Sequence, residues 1–346
     1  MNDDLTRLGM VVPFGVESLA RRYHWIFFSA TDCQSDGIDP CGISMTRNKA
    51  TLIGMMAILL WSAVVGLIRG VSESLGATGG AAAIYSVASV FLILSVGLKR
   101  LASFPRRYLV WGSILFVTYE LCFSLSIGYA HSSRQAIEVS MVNYLWPSLT
   151  MVAAILINKQ RANWLIMPGV VLAILGICRV LGGDEGLNLE SMLFNVQDNP
   201  LSYGLAFAGA IIWAAYCTIT ARIAKGANGI TLFFIFTALV LWAKYLVTGG
   251  GYTGGGQMNF DLHALLYLVV AGAAMGFGYG AWNIGILHGH VTILAGASYF
   301  VPVLSAILSA LILSTTLPIS FWQGAGMVCA GSILCWVSTR RKKPRW

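Results

Sequence analysis

The sequence predicts an all-α polytopic membrane protein, with ten transmembrane helices arranged as two inverted five-helix repeats around a central cavity. Three observations carry that expectation. Of 346 residues, 57% are hydrophobic and only 10% are charged, with a mean hydropathy of +0.74, whereas an ordinary soluble domain carries roughly 25% charge. Apolar runs of about twenty residues, each able to cross roughly 30 Å of hydrocarbon, recur from residue 50 to 338. The connections between those runs alternate sharply in charge, and several marks recur in the same order in the two halves. A soluble enzyme, a nucleic-acid binder and a disordered scaffold are all disfavoured by this composition.

The chain opens on residues 1–44, which hold three basic residues against six acids. The stretch VVPFGVESLARRYHWIFF is interrupted by Glu17, Arg21 and Arg22, so it is too short to span, and it lacks the basic start and clean apolar core of a signal peptide. Met45 stands directly before the basic-then-apolar start of the first span, which suggests that translation begins there and that 1–44 lies outside the fold. A weak interfacial helix is the other reading of this extension. Spans are expected near 50–69, 79–98, 108–129, 136–157, 164–181, 201–222, 229–248, 262–287, 291–313 and 318–338.

One set of connections collects Arg47, Lys49, Lys99, Arg100, Arg106, Arg107, Lys159, Arg161, Arg222, Lys225, Arg340, Arg341, Lys342, Lys343 and Arg345. The other holds Arg69, Arg134, Arg179 and Lys244, with Glu185, Glu190, Asp198 and Asp261 beside them. Basic residues concentrate in cytoplasmic loops, so both termini are expected in the cytoplasm. The net charge of +8 is then a topology code, with contact to anionic lipid as a lesser role.

Two halves follow, 45–181 and 201–339, joined by a periplasmic linker at 182–200 and closed by a basic tail at 340–346. Ile127-Gly128-x-x-His131 precedes Tyr144-x-x-Pro147, as Ile284-Gly285-x-x-His288 precedes Tyr299-x-x-Pro302. Trp61-Ser62-Ala63 matches Trp213-Ala214-Ala215, and Gly169 and Gly176 share the seven-residue spacing of Gly324 and Gly331. An odd number of spans per half places the second copy upside down relative to the first, an arrangement suited to a pathway at the midplane.

With these marks on the page, the chain resembles the drug/metabolite transporter superfamily, with two EamA-type repeats, and within it the aromatic amino-acid exporters of bacterial inner membranes. KATLIG (49–54), GLIRGVSE (66–73), GGAAAIYS (79–86), QAIEV (135–139), MVNYLWPSLT (141–150), WAAYCT (213–218), GITLF (229–233), AWNIGILHG (281–289) and FWQGAGMVC (321–329) carry the resemblance. It implies efflux of Phe, Tyr and Trp, and of flat aromatic toxicants, without ATP. The chain has no GxxxxGK[ST] loop for nucleotide phosphates. A broader multidrug or metabolite efflux protein is the alternative. A membrane enzyme is disfavoured, because neither GxSxG nor a metal-ligand set stands in the spans. No cofactor, metal or nucleic acid is implied; the partners are a small aromatic molecule and the bilayer, with the protein a monomer or weak homodimer.

The residues themselves point to a substrate site. Trp61, Tyr119, Phe123, Tyr144, Trp146, Trp213, Tyr216, Tyr279, Trp282 and Tyr299 lie in mid-span, where an aromatic belt at the headgroups does not account for them. As a group they suit a pocket that stacks a planar side chain or holds a cation over a ring; plain packing is the alternative for each one. Trp111, Trp164, Trp322 and Trp336 are assigned to the belts. Pro147 and Pro302 each free the carbonyl four residues back, at Asn143 and Ser298, and are read as hinges or simple kinks. Asn143 and Asn283 are added to the candidate pocket.

Glu120 is the carboxylate deep in a span. A charged acid there costs about 2.5–3.5 kcal/mol, so it faces water or protein, or stays neutral. It is either a substrate-ammonium or proton site, or a hydrogen-bonded structural acid. His131 and Glu138 are the further candidates for proton coupling, with an i, i+4 Arg134–Glu138 rim pair as the structural alternative. His288 and His290 read as caps at a helix end. Cys122, Cys178, Cys217, Cys329 and Cys335 read as buried packing residues, and Cys33 and Cys41 as reduced cysteines.

Overall fold

A run of apolar helices separated by short turns accounts for the whole architecture of the computed structural model, which describes residues 46–248 and 258–339. The extension 1–44 with Cys33 and Cys41, Met45, and the basic tail 340–346 lie outside the described residues. Among the described residues there is no strand. The helices are α1 (Arg47–Leu75), α2 (Ala77–Ser95), α3 (Arg106–Gly128), α4 (Ser133–Asn143), α5 (Trp146–Asn158), α6 (Ile166–Leu181), α7 (Leu189–Asp198), α8 (Pro200–Ile223), α9 (Ile230–Val247), α10 (Leu262–His288), α11 (Val291–Ser298), α12 (Val301–Ile312) and α13 (Ile319–Thr339). Among the described residues, eight segments are long and apolar enough to cross a membrane, with 133–158 counted as one; Ile166–Leu181 and Val301–Ile312 are shorter apolar helices.

Helix boundaries follow local chemistry. Thr46, Ser132, Asn188, Asn199 and Asp261 cap α1, α4, α7, α8 and α10 by accepting first-turn N–H bonds. Gly76, at φ 72°, turns the chain between α1 and α2, a backbone region that a side chain disfavours. The expected kinks at Pro147 and Pro302 are full breaks. Each proline sits in the first turn of a new helix, where its missing N–H costs nothing. Bonds from Leu145 N to Val142 O (3.2 Å) and from Phe300 N to Ala297 O (3.0 Å) bridge the gaps. The linker 182–200 contains α7, whose Leu189, Leu193 and Phe194 are exposed.

Successive spans reverse direction, which gives the bundle a basic end with Arg47, Arg106, Lys159 and Arg222, and an acidic end with Asp184, Glu185, Asp198 and Asp261. Helix α1 packs on α10 and α12, while α8 packs on α3 and α5; α6 pairs with α13, and α2 with α9 and α10. Glycine permits the closest of these approaches. A Cβ on Gly176 would stand 2.7 Å from the Gly324 carbonyl oxygen, and one on Gly169 would stand 3.0 Å from that of Gly331. On α1, a Cβ at Gly54 would come 2.9 Å from the Cα of Gly285.

Trp111 and Trp164 project outward as expected of belt residues. Trp322 is half-buried. Trp336 corrects its assignment: it is buried, with its ring 5.7 Å from that of Tyr299, because α13 turns that face inward.

Gly324→Val is expected to lower stability by about 1–3 kcal/mol through forced separation of α6 and α13, read as a lower melting temperature in detergent. Gly326→Ala is the control, since nothing lies within 4 Å of its added Cβ, and it should melt like the parent.

Candidate functional site

A central cavity of about 210 Å³ opens where the helix breaks meet, smaller than the roughly 300–1,000 Å³ of pockets for drug-sized ligands. Helix α1 contributes Trp61 and Val64 to its wall, and α3 contributes Tyr119, Glu120 and Phe123. The α4–α5 break supplies Asn143, Tyr144, Trp146 and Pro147, followed by Thr150 and Met151. From the second half come Trp213, Tyr216 and Cys217 on α8, Ile230 on α9, Met275, Tyr279 and Trp282 on α10, and Ser298, Tyr299 and Val301 at the α11–α12 break. Counterparts between the halves share the cavity: Trp61 with Trp213, Asn143 with Ser298, and Tyr144 with Tyr299.

The rings form two connected groups. On one side Trp213 lies 4.4 Å from Tyr119, 5.0 Å from Tyr216 and 6.2 Å from Trp146, between ring centroids. Tyr119 stacks on Phe123 at 5.9 Å and 11°. On the other side Trp61 meets Tyr279 at 5.1 Å and Trp282 at 5.3 Å. These separations match those of favourable aromatic pairs, so the walls are rigid, and faces and edges of rings remain toward the space between them.

Glu120 is buried, 3% exposed, and is the one charged residue among the described residues that line the cavity. Its Oε2 accepts a 2.6 Å hydrogen bond from the Tyr85 hydroxyl on α2. Asn143 donates through Nδ2 to the Ala206 carbonyl at 3.1 Å, while its Oδ1 and the Trp61 Nε1 are buried without a partner. Among the described residues, no Lys, Arg or His lines the cavity, and no group of three or more potential metal ligands occurs.

Four candidates lie outside the cavity wall. Asn283 follows Trp282, and one residue is about 100° around a helix, so the two side chains diverge. Pro302 is buried but is not on the wall, which its neighbour Val301 helps to line. His131 and Glu138 sit at the acidic end. His131 Nδ1 lies 3.1 Å from Asp198 Oδ2, both exposed, and hydrogen bonds from Gln135 and His131 hold Asp198 below the usual carboxylate range. Glu138 is 6% exposed, a second buried carboxylate besides Glu120. Arg134 pairs with it at 3.0 Å and with Asp184 at 3.0 Å, and Tyr203 reaches its other oxygen at 3.5 Å. Arg69 binds Glu73 and the Ala130 carbonyl, and Lys244 binds Tyr129 and Thr78, so this network ties the helix ends together. Cys217, read from the sequence as packing, is on the wall; so are Val64, Thr150, Met151, Ile230, Met275 and Val301, which carry no sequence signal beyond helical spacing from the aromatic residues.

Apolar spans enclosing one small-molecule cavity, with broken helices at its rim, define a polytopic membrane transporter. The EamA-like transporter family matches residues 200–337. Over 297 residues the chain is 57% identical to the aromatic amino acid exporter YddG of Escherichia coli (strain K12), covering 86% of this chain and 100% of that protein. Its identity to the protein of the same name from Salmonella typhimurium is also 57%, over 298 residues, with the same coverage. A solved structure described as "Crystal structure of protein" superposes with a TM-score of 0.56 at 22% identity, over 86% of this chain and 100% of that one; it shows the fold alone. The chain belongs to the EamA-like transporters of the drug/metabolite transporter superfamily, as its motifs implied.

Arg134→Ala leaves Glu138 buried without its cation and is expected to cost about 1–2 kcal/mol, discounted because Arg134 is partly exposed. Adding Glu138→Gln should recover most of the lost melting temperature; no recovery would show that Arg134 acts mainly through Asp184.

Proposed function

We propose that this protein is a secondary exporter of Phe, Tyr and Trp, and of flat aromatic toxicants, across a bacterial inner membrane by alternating access. The observation that carries the reading is the cavity: aromatic walls from both halves of the chain, with a single carboxylate between them. The relatives named as aromatic amino acid exporters support the substrate class. Planar side chains would stack between the walls, and Glu120 would receive the substrate ammonium or a proton. The lack of a cation on the wall, together with its Trp and Tyr faces, also suits flat organic cations, which favours the broader efflux reading as the second one.

Ten spans in two inverted repeats, 45–181 and 201–339, account for the exchange of partners between the halves: α1 on α10 and α12, α8 on α3 and α5. With the basic end in the cytoplasm, both termini are cytoplasmic, and the cavity reaches inward through Met151, Cys217, Ile230 and Ser298. The ion-pair network then closes the periplasmic side. Pro147 and Pro302 would act as hinges, because each break already lacks a continuous ladder of backbone bonds.

Purified protein in liposomes loaded with labelled tryptophan or phenylalanine should show flux that selects aromatic over aliphatic amino acids; no such selectivity, with or without a pH gradient, would overturn the reading. Trp213→Ala should raise the KM for tryptophan by up to about tenfold, since it removes one ring on which the substrate would stack, worth about 0.5–1.5 kcal/mol. In cells, and in a chain cleared of native cysteines, a cysteine at Ser191 should react with an impermeant maleimide from outside. A cysteine at Arg161 should react only after permeabilisation, and the reverse pattern would invert the proposed topology.

A further inference from the structure

Glu120 is gripped from behind. The residue that holds it, Tyr85, does not line the cavity and is 0% exposed. Its ring lies 5.3 Å from Phe234, which in turn lies 5.5 Å from Tyr279 and 5.5 Å from Phe116. The phenol is therefore immobilised by packing before any hydrogen bond is counted. Its 2.6 Å bond to Glu120 Oε2 falls in the roughly 2.5–2.7 Å range of a hydroxyl donating to a carboxylate. No ion pair reaches Glu120 among the described residues, and its other titratable neighbours are Tyr119 and Tyr279.

A glutamate on a cavity wall has several rotatable bonds and would otherwise sample many positions. We propose that Tyr85 is a positioning residue: by occupying one oxygen of Glu120 it holds the carboxylate with the other oxygen turned to the cavity, and so makes the site select aromatic compounds that carry an amino group. The assignment rests on the reading of the cavity as the substrate site. Tyr85 never touches the substrate; it acts through Glu120, and the energy it contributes appears only when the ligand has an ammonium to meet that oxygen.

The test compares tryptophan with indole-3-propionic acid, which keeps the ring and carboxylate and lacks the amine, as substrates and as competitors in liposomes. Tyr85→Phe removes one oxygen and keeps the ring packing. It should raise the KM for tryptophan about tenfold, the scale of a lost hydrogen bond to a charged group, with kcat changed less than about twofold. The KM or inhibition constant of indole-3-propionic acid should not move. In a Glu120→Gln chain the same Tyr85→Phe change should add nothing further for tryptophan.

Equal weakening of both ligands, or a full-sized effect of Tyr85→Phe in the Glu120→Gln chain, would make Tyr85 merely structural and overturn the assignment. Unchanged tryptophan kinetics would do the same. Should Tyr85→Phe fail to fold, Glu120→Asp, which draws the carboxylate away from the phenol and keeps its charge, should give the same selective rise for tryptophan, and a parallel rise for both ligands would overturn the proposal. A parent protein that carries no aromatic amino acid removes the substrate reading itself, whereas normal parent flux with unaltered selectivity in the variants removes only the role of Tyr85.

Discussion

Hydrocarbon cannot replace a hydrogen bond, and this constraint governs each feature of the bundle. A backbone group left unpaired in lipid costs several kcal/mol, so the chain crosses as helices, and their two breaks stand where protein or a cavity can receive the freed groups. Tyr144–Leu145 and Tyr299–Phe300 are those breaks, and the residues around both line the same space. The position of the cavity is thus a consequence of where proline forbids the helix ladder to continue.

Side chains obey the same constraint. Many serines and threonines within the spans return their hydroxyls to carbonyls one turn back, as Ser62 does to Ile58 and Thr218 to Ala214. The two buried carboxylates are satisfied in different ways. Glu138 has a cation and a phenol in Arg134 and Tyr203, which suits a structural tie at the acidic end. Glu120 has a phenol alone, which leaves it chemically unspent and facing the cavity. One arrangement ties helix ends together, and the other leaves a carboxylate without an ion pair on the cavity wall.

Close packing of backbones supplies the frame against which those sites are held. Gly169 and Gly176 meet Gly331 and Gly324 in a reciprocal pattern, as expected where two copies of one motif face each other. The equivalent pair in the Ile-Gly marks behaves differently: Gly285 approaches Gly54, whereas Gly128 approaches Ala77. Marks that match in the sequence need not make matching contacts, because the neighbour that a helix face meets is set by packing across the whole bundle.

Much of the fold, and most of the residues that line the candidate cavity, were legible in the sequence. Apolar length and loop charge are local properties, and each span had to be helical, since no other form pairs its own backbone. Mid-span aromatics and Glu120 were legible because such groups are expensive or out of place in lipid, so they mark an interior. Asn283, His131 and Glu138 lie away from the cavity wall for a physical reason: adjacency in sequence sets a helical angle and a height, but not which neighbour a face meets. The bond between Tyr85 and Glu120 joins two helices 35 positions apart. It exists because α2 and α3 turn particular faces toward one another at the same depth, and that rotation is set by packing summed over the whole bundle, which no local pattern of residues contains.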